Sequence, residues 1–324
     1  MKSKSRTLLI IGGSGFFGNS ILTYLSNSKV LKKKFTKIIV ISRKKLATFR
    51  YTKKLKKNYR VIKMNSDISK LRKLPRADYV IYAAISKNFR DDYLAVKNYT
   101  HLALKYHKNS KILFTSSGAV YGVQPNNIKS FKEDYLKYNK KIHFKKGYKK
   151  NYSNFKLKSE KLFEKLGNFG LKVSIARCFA FVGEFLPLNN NFVVGNIIQN
   201  ILDEKLITIG ANYKIYRSYM YSDDLVRWLL KILDHSNIKC PIYNVGSNNK
   251  ILIQQIAKIL AKKYNLKVDI PKFTDKINDY YIPDVYKAKK NLKLKNNYTS
   301  AEAIIKTINF YYPPIIDNKK NFQS

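Results

Sequence analysis

Acidic residues are scarce in this chain: 20 Asp and Glu stand against 64 Lys and Arg, a formal net charge of +44 over 324 residues. So basic a balance points either to a polyanionic partner such as nucleic acid or to codon bias. The basic residues run through the whole chain rather than gathering in a tail or stripe. Lys, Asn, Ile, Tyr and Phe, all with A/T-rich codons, are plentiful. Codon bias is therefore the preferred reading, and no specific nucleic-acid partner is expected. Cysteine is nearly absent. Cys178 and Cys240 are far apart and form no ligand pattern, which argues against a disulfide scaffold or a metal site and for a reducing compartment. No apolar run reaches membrane-spanning length. Lys2, Lys4 and Arg6, followed by the apolar stretch 8–17, imitate a signal peptide. Glycines at 12, 13, 15 and 18 break that stretch, and no convincing cleavage site follows. A soluble cytoplasmic protein without membrane insertion is expected. The hydrophobic content of 45% is ordinary for a globular protein, and the length suits one large domain or two lobes.

The order of segments is informative. Residues 7–11 are a short apolar run suited to a buried parallel strand. Gly12-Gly13-Ser14-Gly15-Phe16-Phe17-Gly18 follows, and 16–25 reads as a helix. The glycines fit Gly13-x-Gly15-x-x-Gly18 or Gly12-x-x-Gly15-x-x-Gly18. Glycines let the backbone turn tightly and approach a pyrophosphate at the helix N-terminus, so strand, loop and helix together predict a dinucleotide site. Gly12, Gly15, Phe16, Phe17 and Gly18 are its candidate residues. Residues 37–41 form a second strand. An NAD site would carry an acid at its end for the ribose hydroxyls. Here Ser42-Arg43-Lys44-Lys45 stands instead, which would welcome a 2′-phosphate, so NADP(H) is favoured and NAD is the alternative. Residues 61–64 are a third strand, with Asp67 and Ile68 beyond it as adenine contacts. Residues 79–84 are a fourth, ending in Ala83 and Ala84, small enough for a cofactor to lie close. An amphipathic helix over 91–107 carries Asn98. A fifth strand over 111–115 leads into Ser116-Ser117-Gly118-Ala119-Val120-Tyr121-Gly122.

Such alternation predicts an α/β fold: a Rossmann-type doubly wound parallel sheet with a smaller α/β C-terminal substrate-binding lobe. The partition expected is 1–177 and 221–246 for the dinucleotide domain, 178–220 and 247–312 for the lobe, and a tail over 313–324. Further elements are strands at 172–176, 207–209 and 242–245. Helices are expected over 192–202, 224–233 with Trp228 on the apolar face, and 252–263. Residues 123–151 read as a polar connection and Asn189–Asn191 as a loop.

Tyr152 and Lys156 lie one helical turn apart, on one face. A nearby cation favours phenolate and so fits the tyrosine for acid–base chemistry. The spacing alone is weak, because it recurs at Tyr59/Lys63, Tyr93/Lys97 and Tyr286/Lys290. The place of Tyr152 in the order of elements sets it apart. With the glycine loop, Asp67, Asn98, the 116–122 run, Tyr152-x-x-x-Lys156 with Glu160, Arg217-Ser218-Tyr219-Met220-Tyr221-Ser222-Asp223-Asp224, and Tyr243-Asn244-Val245-Gly246, the chain resembles an extended short-chain dehydrogenase/reductase over roughly 7–306. The branch is that of nucleotide-sugar epimerases, dehydratases and ketoreductases.

The resemblance implies that Ser117 holds the substrate oxygen and that Tyr152 exchanges the proton. Lys156 would bind the nicotinamide ribose and lower the tyrosine pKa, Asn98 would position the lysine through water, and Arg217 would grip the substrate diphosphate. It also implies a nucleotide-sugar substrate and a homodimer formed through the 91–107 and 152–166 helices. Sugar-nucleotide 4,6-dehydratases carry an Asp-Glu pair where this chain has Gly118 and Ala119, which disfavours that activity. NAD-retaining 4-epimerases usually keep the acid that Ser42 replaces. After Arg177, Cys178-Phe179-Ala180 departs from a common substrate contact, and the run 176–183 resembles a subgroup associated with O-antigen sugars. The expected activity is NADPH-dependent reduction of a nucleotide-diphospho-4-keto-6-deoxy sugar in surface-polysaccharide synthesis. An NAD-dependent 4-epimerase is the alternative, and a nucleic-acid-binding protein on the same fold is the rival from another class.

Overall fold

A computed structural model describes residues 6–44, 51–86, 88–139, 142–144, 146–188, 192–274 and 278–311. Lys2, Lys4, Lys45, the Asn189–Asn191 loop and the 313–324 tail lie outside the described residues. Six strands open the fold: β1 (Thr7–Ile11), β2 (Lys37–Ser42), β3 (Arg60–Asn65), β4 (Tyr79–Tyr82), β5 (Lys111–Ser117) and β6 (Lys172–Cys178). With Ile242–Val245 they form a seven-stranded sheet in the order Ile242–Val245, β6, β5, β4, β1, β2, β3, and every neighbouring pair is parallel. The order reverses between β1 and β4, the point at which doubly wound sheets open a crevice at the carboxyl ends of their strands. β1, β2, β4 and β5 are buried almost throughout, as continuous apolar strands must be when both faces are covered. β3, at the sheet's edge, is far more exposed.

The two faces carry separate cores. On one, the Phe16–Asn27 and Ser222–Asp234 helices bury Leu22, Leu25, Leu229 and Trp228 against Leu8, Ile10 and Ile38. On the other, the Phe89–Tyr106 and Tyr148–Asn168 helices set Tyr99 and Phe163 against Tyr82 and Phe114. The Phe114 and Phe163 rings stack at 4.4 Å. Each such ring withdrawn from water contributes roughly 1.5–3 kcal/mol.

The lobe has its own core of Val194, Ile197, Ile198, Ile253, Ile256 and Ile304. Its largest sheet is three short strands in the order Ile251–Leu252, Ile215–Arg217, Asp279–Tyr281. Val285, Ala288, Leu292 and Leu294 pack instead into the core under the large sheet, so that stretch interrupts the 247–312 segment expected for the lobe. Within 123–151, Tyr135–Tyr138 forms a helical turn, and the following helix begins at Tyr148, four residues before Tyr152.

Candidate active site

The glycine loop is built for close backbone contact. Gly12 has φ +97°, and a methyl group there would sit 2.6 Å from the Ala84 nitrogen. One on Gly18 would sit 2.4 Å from Gly13 Cα. These two glycines pack backbone against backbone. Gly15 differs: it is exposed, and a methyl group there would meet only the Gly12 carbonyl, at 3.7 Å. Gly15 also caps the Phe16–Asn27 helix and offers no side chain to the N–H groups of its first turn. Those donors and an open approach over Gly15 fit a dinucleotide pyrophosphate. Phe16 and Phe17 are partly buried beside the loop, Phe17 edge-on to Phe181 at 5.4 Å. Ala83 is fixed by its N–H bond to Ile11 O at 2.8 Å. Gly12, Gly15, Phe16, Phe17, Gly18, Ala83 and Ala84 thus lie together at the carboxyl ends of β1 and β4.

At the end of β2, the Ser42 hydroxyl donates to Lys44 O at 2.6 Å. Arg43 is exposed, and its guanidinium reaches 3.5 Å from the buried Asp92 carboxylate. Asp92 also accepts from the Ser86 N–H and hydroxyl. Asp67 accepts from the Ser69 N–H and hydroxyl and so caps the turn that contains Ile68. Burial opposes ionisation of Asp67, but the Ser69 bonds and the charges of Arg43 and Lys70 outweigh it and hold the carboxyl below its ordinary value.

Ser117 closes β5, with Cys178 beside it on β6. The Ser117 hydroxyl accepts from Ala119 N–H at 3.2 Å, and the Tyr152 phenol lies close enough to feel it. Lys156 is buried and donates to Thr115 O at 2.8 Å, with Nζ 5.9 Å from the Tyr152 ring centre. Burial brings the Lys156 ammonium down to about 8, although Cys178, Asp92 and Glu160 favour its charge. Burial likewise pushes the Tyr152 phenol up to about 12, against the lowering effect of Ser117. The expectation that Lys156 lowers the tyrosine is therefore not met: the ammonium is turned to the β5 backbone, and desolvation dominates both groups. Ser117, Tyr152 and Lys156 nonetheless come together from two elements.

The Asn98 amide nitrogen donates to Ile68 O at 2.6 Å and to Leu71 O at 2.9 Å, which holds the turn after Asp67. Arg217 is also committed: it donates to the carbonyls of Tyr216 and Asp279 at 2.8 Å and pairs with the Asp279 carboxylate at 2.9 Å. A diphosphate would have to share that guanidinium.

Two groups had no role assigned from sequence. Glu160 holds Arg177 bidentately, at 3.0 and 2.8 Å, and accepts from Ser116. Arg177 continues to the Tyr121 hydroxyl, and Tyr121 to Asn244. This buried network ties the Tyr152 helix to β5, β6 and the Ile242–Val245 strand. The second group is Tyr281, whose hydroxyl fills the space over Gly118 and whose ring lies 4.8 Å from that of Phe179. Among the described residues no cluster of His, Cys, Asp and Glu could hold a metal, and no helix is long and apolar enough to cross a membrane.

Parallel sheet, glycine loop and the Tyr152 and Lys156 pair on one helix are the features expected from the resemblance to the extended short-chain dehydrogenases/reductases. Residues 8–246 match the NAD dependent epimerase/dehydratase family, and the chain belongs to that family. It is 26% identical over 216 residues to UDP-glucuronic acid decarboxylase 1 of Danio rerio, a match over 65% of this chain and 49% of the relative. The chain thus spans about half the length of that curated relative. UDP-glucose 4-epimerase from Thermotoga maritima, solved with UDP-glucose, superposes with a TM-score of 0.75 at 19% identity, covering 94% of this chain and 98% of the epimerase. dTDP-glucose 4,6-dehydratase from Bacillus anthracis, solved with NAD, gives 0.75 at 15% identity, covering 95% and 97%. At such identities these two likenesses concern the fold.

Proposed function

We propose that the protein reduces a nucleotide-diphospho-4-keto-6-deoxy sugar with NADPH, in surface-polysaccharide synthesis. The observation that carries this reading is an acid–base set of hydroxyls and one amine, with no carboxylate where elimination would need it. A side chain at position 118 has no room: its first carbon would lie 2.7 Å from both the Phe179 ring and the Tyr281 hydroxyl. Such a site suits interconversion of ketone and alcohol rather than loss of water. The bound nicotinamide supplies the hydride. Tyr152, protonated across the ordinary pH range, donates the proton to the carbonyl oxygen that Ser117 orients. Lys156 stabilises the phenolate left behind while it carries its charge. Gly15 and the helix behind it receive the pyrophosphate, and Arg43 is the candidate contact for the 2′-phosphate. Arg217 and the lobe take the nucleotide diphosphate. The Phe89–Tyr106 and Tyr148–Asn168 helices pack together with Leu94 and Leu104 exposed, the place for the proposed homodimer.

One observation favours the second reading, an NAD-retaining 4-epimerase: Arg43 already has an anionic partner in Asp92. A plate assay separates the two. Purified protein is offered 4-keto-6-deoxy nucleotide sugars with NADPH or NADH. Oxidation of NADPH with one of them is the expected result. Interconversion of parent nucleotide sugars with no net oxidation would transfer the assignment to the epimerase.

A further inference from the structure

Cations run through the whole chain, but acids do not. Residues 1–77 hold 22 Lys and Arg and a single acid, Asp67. The fold gathers part of that excess at one end. In a parallel sheet every helix-to-strand connection returns to the amino ends of the strands, opposite the crevice. Lys37 and Arg60 open β2 and β3 in register with Thr7, and Lys111 and Lys172 open β5 and β6 in register with Tyr79. Just before β2, the Lys29–Lys34 helix carries exposed Lys29, Lys32 and Lys33. Lys108 and Lys239 are exposed in the connections that enter β5 and the Ile242–Val245 strand. Asp78 and Asp234 stand at this end and are engaged: Asp78 accepts from Thr7 N–H at 2.7 Å, and Asp234 pairs with Lys34.

Three large apolar side chains stand in water on the same connections: Val30 is 76% exposed, Phe169 66% and Ile238 57%. A methyl group on Gly167 would sit 2.6 Å from Ile238 O, so the Phe169 and Ile238 connections touch. Val30 enters β2, four strand spacings from β6, or about 19 Å across the sheet. Exposed apolar side chains set among cations suit an anionic lipid surface, whose headgroups take the charge and whose acyl boundary takes the apolar tips. Nucleic acid would match the charge but offers Val30 and Ile238 no apolar contact. A stacking platform needs several rings, and among the described residues of these connections Phe169 is the one exposed Phe or Tyr. We propose that the amino end of the sheet docks on an anionic lipid bilayer. Lys29, Lys32 and Lys33 meet the headgroups, and Val30, Phe169 and Ile238 enter the acyl boundary. Binding is peripheral, and the crevice at the carboxyl ends stays turned to water.

Vesicle binding by the full chain tests this without substrate or cofactor, so the outcome is independent of the reaction proposed above. The protein should sediment with vesicles of phosphatidylcholine and phosphatidylglycerol and stay in solution with phosphatidylcholine alone. Net charge by itself would draw so basic a protein to anionic lipid, so two variants of equal charge decide the place. At roughly fivefold in partition per cation, Lys29→Gln/Lys32→Gln/Lys33→Gln should weaken binding on the order of a hundredfold. Lys258→Gln/Lys262→Gln/Lys263→Gln, exposed on the Ile253–Lys263 helix of the lobe, should change it little. Equal loss in both overturns the proposal. Phe169→Trp reads depth, because the native Trp228 is buried and gives a constant background. Its emission should move to the blue on anionic vesicles and be quenched by lipids brominated along their acyl chains. Phe273→Trp, exposed in the lobe, should do neither. No shift and no quenching in Phe169→Trp overturns the docking. Polyuridine RNA that binds more tightly than the vesicles at the same salt, and is released by the Lys29, Lys32 and Lys33 substitutions, would give the surface to nucleic acid instead.

Discussion

Tyr152 and Lys156 show what burial does to a pair that simple charge arguments treat as neighbours. Each is driven toward its neutral form, the phenol to about 12 and the ammonium to about 8. The signs give a test. Between about 8 and its ordinary 10.5, Lys156 is neutral in the fold but protonated in the unfolded chain, so its contribution makes stability rise with pH across that window. Activity should move the other way, because the phenolate formed at Tyr152 needs the ammonium. Turnover falling as pH climbs through about 8, while the melting temperature of wild type gains on that of Lys156→Met, is the expected pair of results. Tyr152→Phe should lower turnover by about 10²–10⁴-fold, the usual worth of a positioned acid. A steady-state rate equal to wild type would remove Tyr152 from the chemistry.

At the scale of elements, the Tyr148–Asn168 helix presents Lys156 to β5 and, one turn on, Glu160 to Arg177. That pair is buried on both sides. Glu160→Gln leaves the guanidinium without its anion and should cost about 3–5 kcal/mol, read as a lower midpoint in denaturant. A shift below 1 kcal/mol would mean that solvent reaches the pair. Much of this level was legible from the sequence. The apolar strands, the glycine loop and the Tyr152 helix announce themselves through local pattern, and the parallel sheet follows from strand–helix alternation. Tyr281 was not legible, because it sits on a three-residue strand with no periodicity of its own. Its neighbours, Phe179 and Arg217, are 102 and 64 positions away in the sequence. Glu160 was visible next to the motif, yet its role depends on a β6 residue that only folding brings near. Asn98 and Arg217 were found by position, but their bonding to Ile68, Leu71 and Asp279 depends on tertiary contacts that no spacing reveals.

At the scale of the whole molecule, a formal charge of +44 surrounds a site proposed for two anions. Fields of that size speed the encounter with anionic ligands and are screened within about 8 Å at physiological salt. Raising salt should therefore raise KM for the nucleotide sugar while leaving turnover nearly unchanged, which initial rates at several salt concentrations will show. If the charge instead serves RNA, a gel-shift titration would find salt-sensitive RNA binding and calorimetry no affinity for the dinucleotide.

The central claim is net hydride delivery to a sugar carbonyl. NADPH deuterated at its reactive ring carbon, incubated with the protein and a 4-keto-6-deoxy nucleotide sugar, tests it most directly by mass spectrometry of the product. The account predicts one deuterium on the carbon that was the ketone and a matching amount of NADP⁺. A product free of deuterium, formed with no consumption of cofactor, would contradict it.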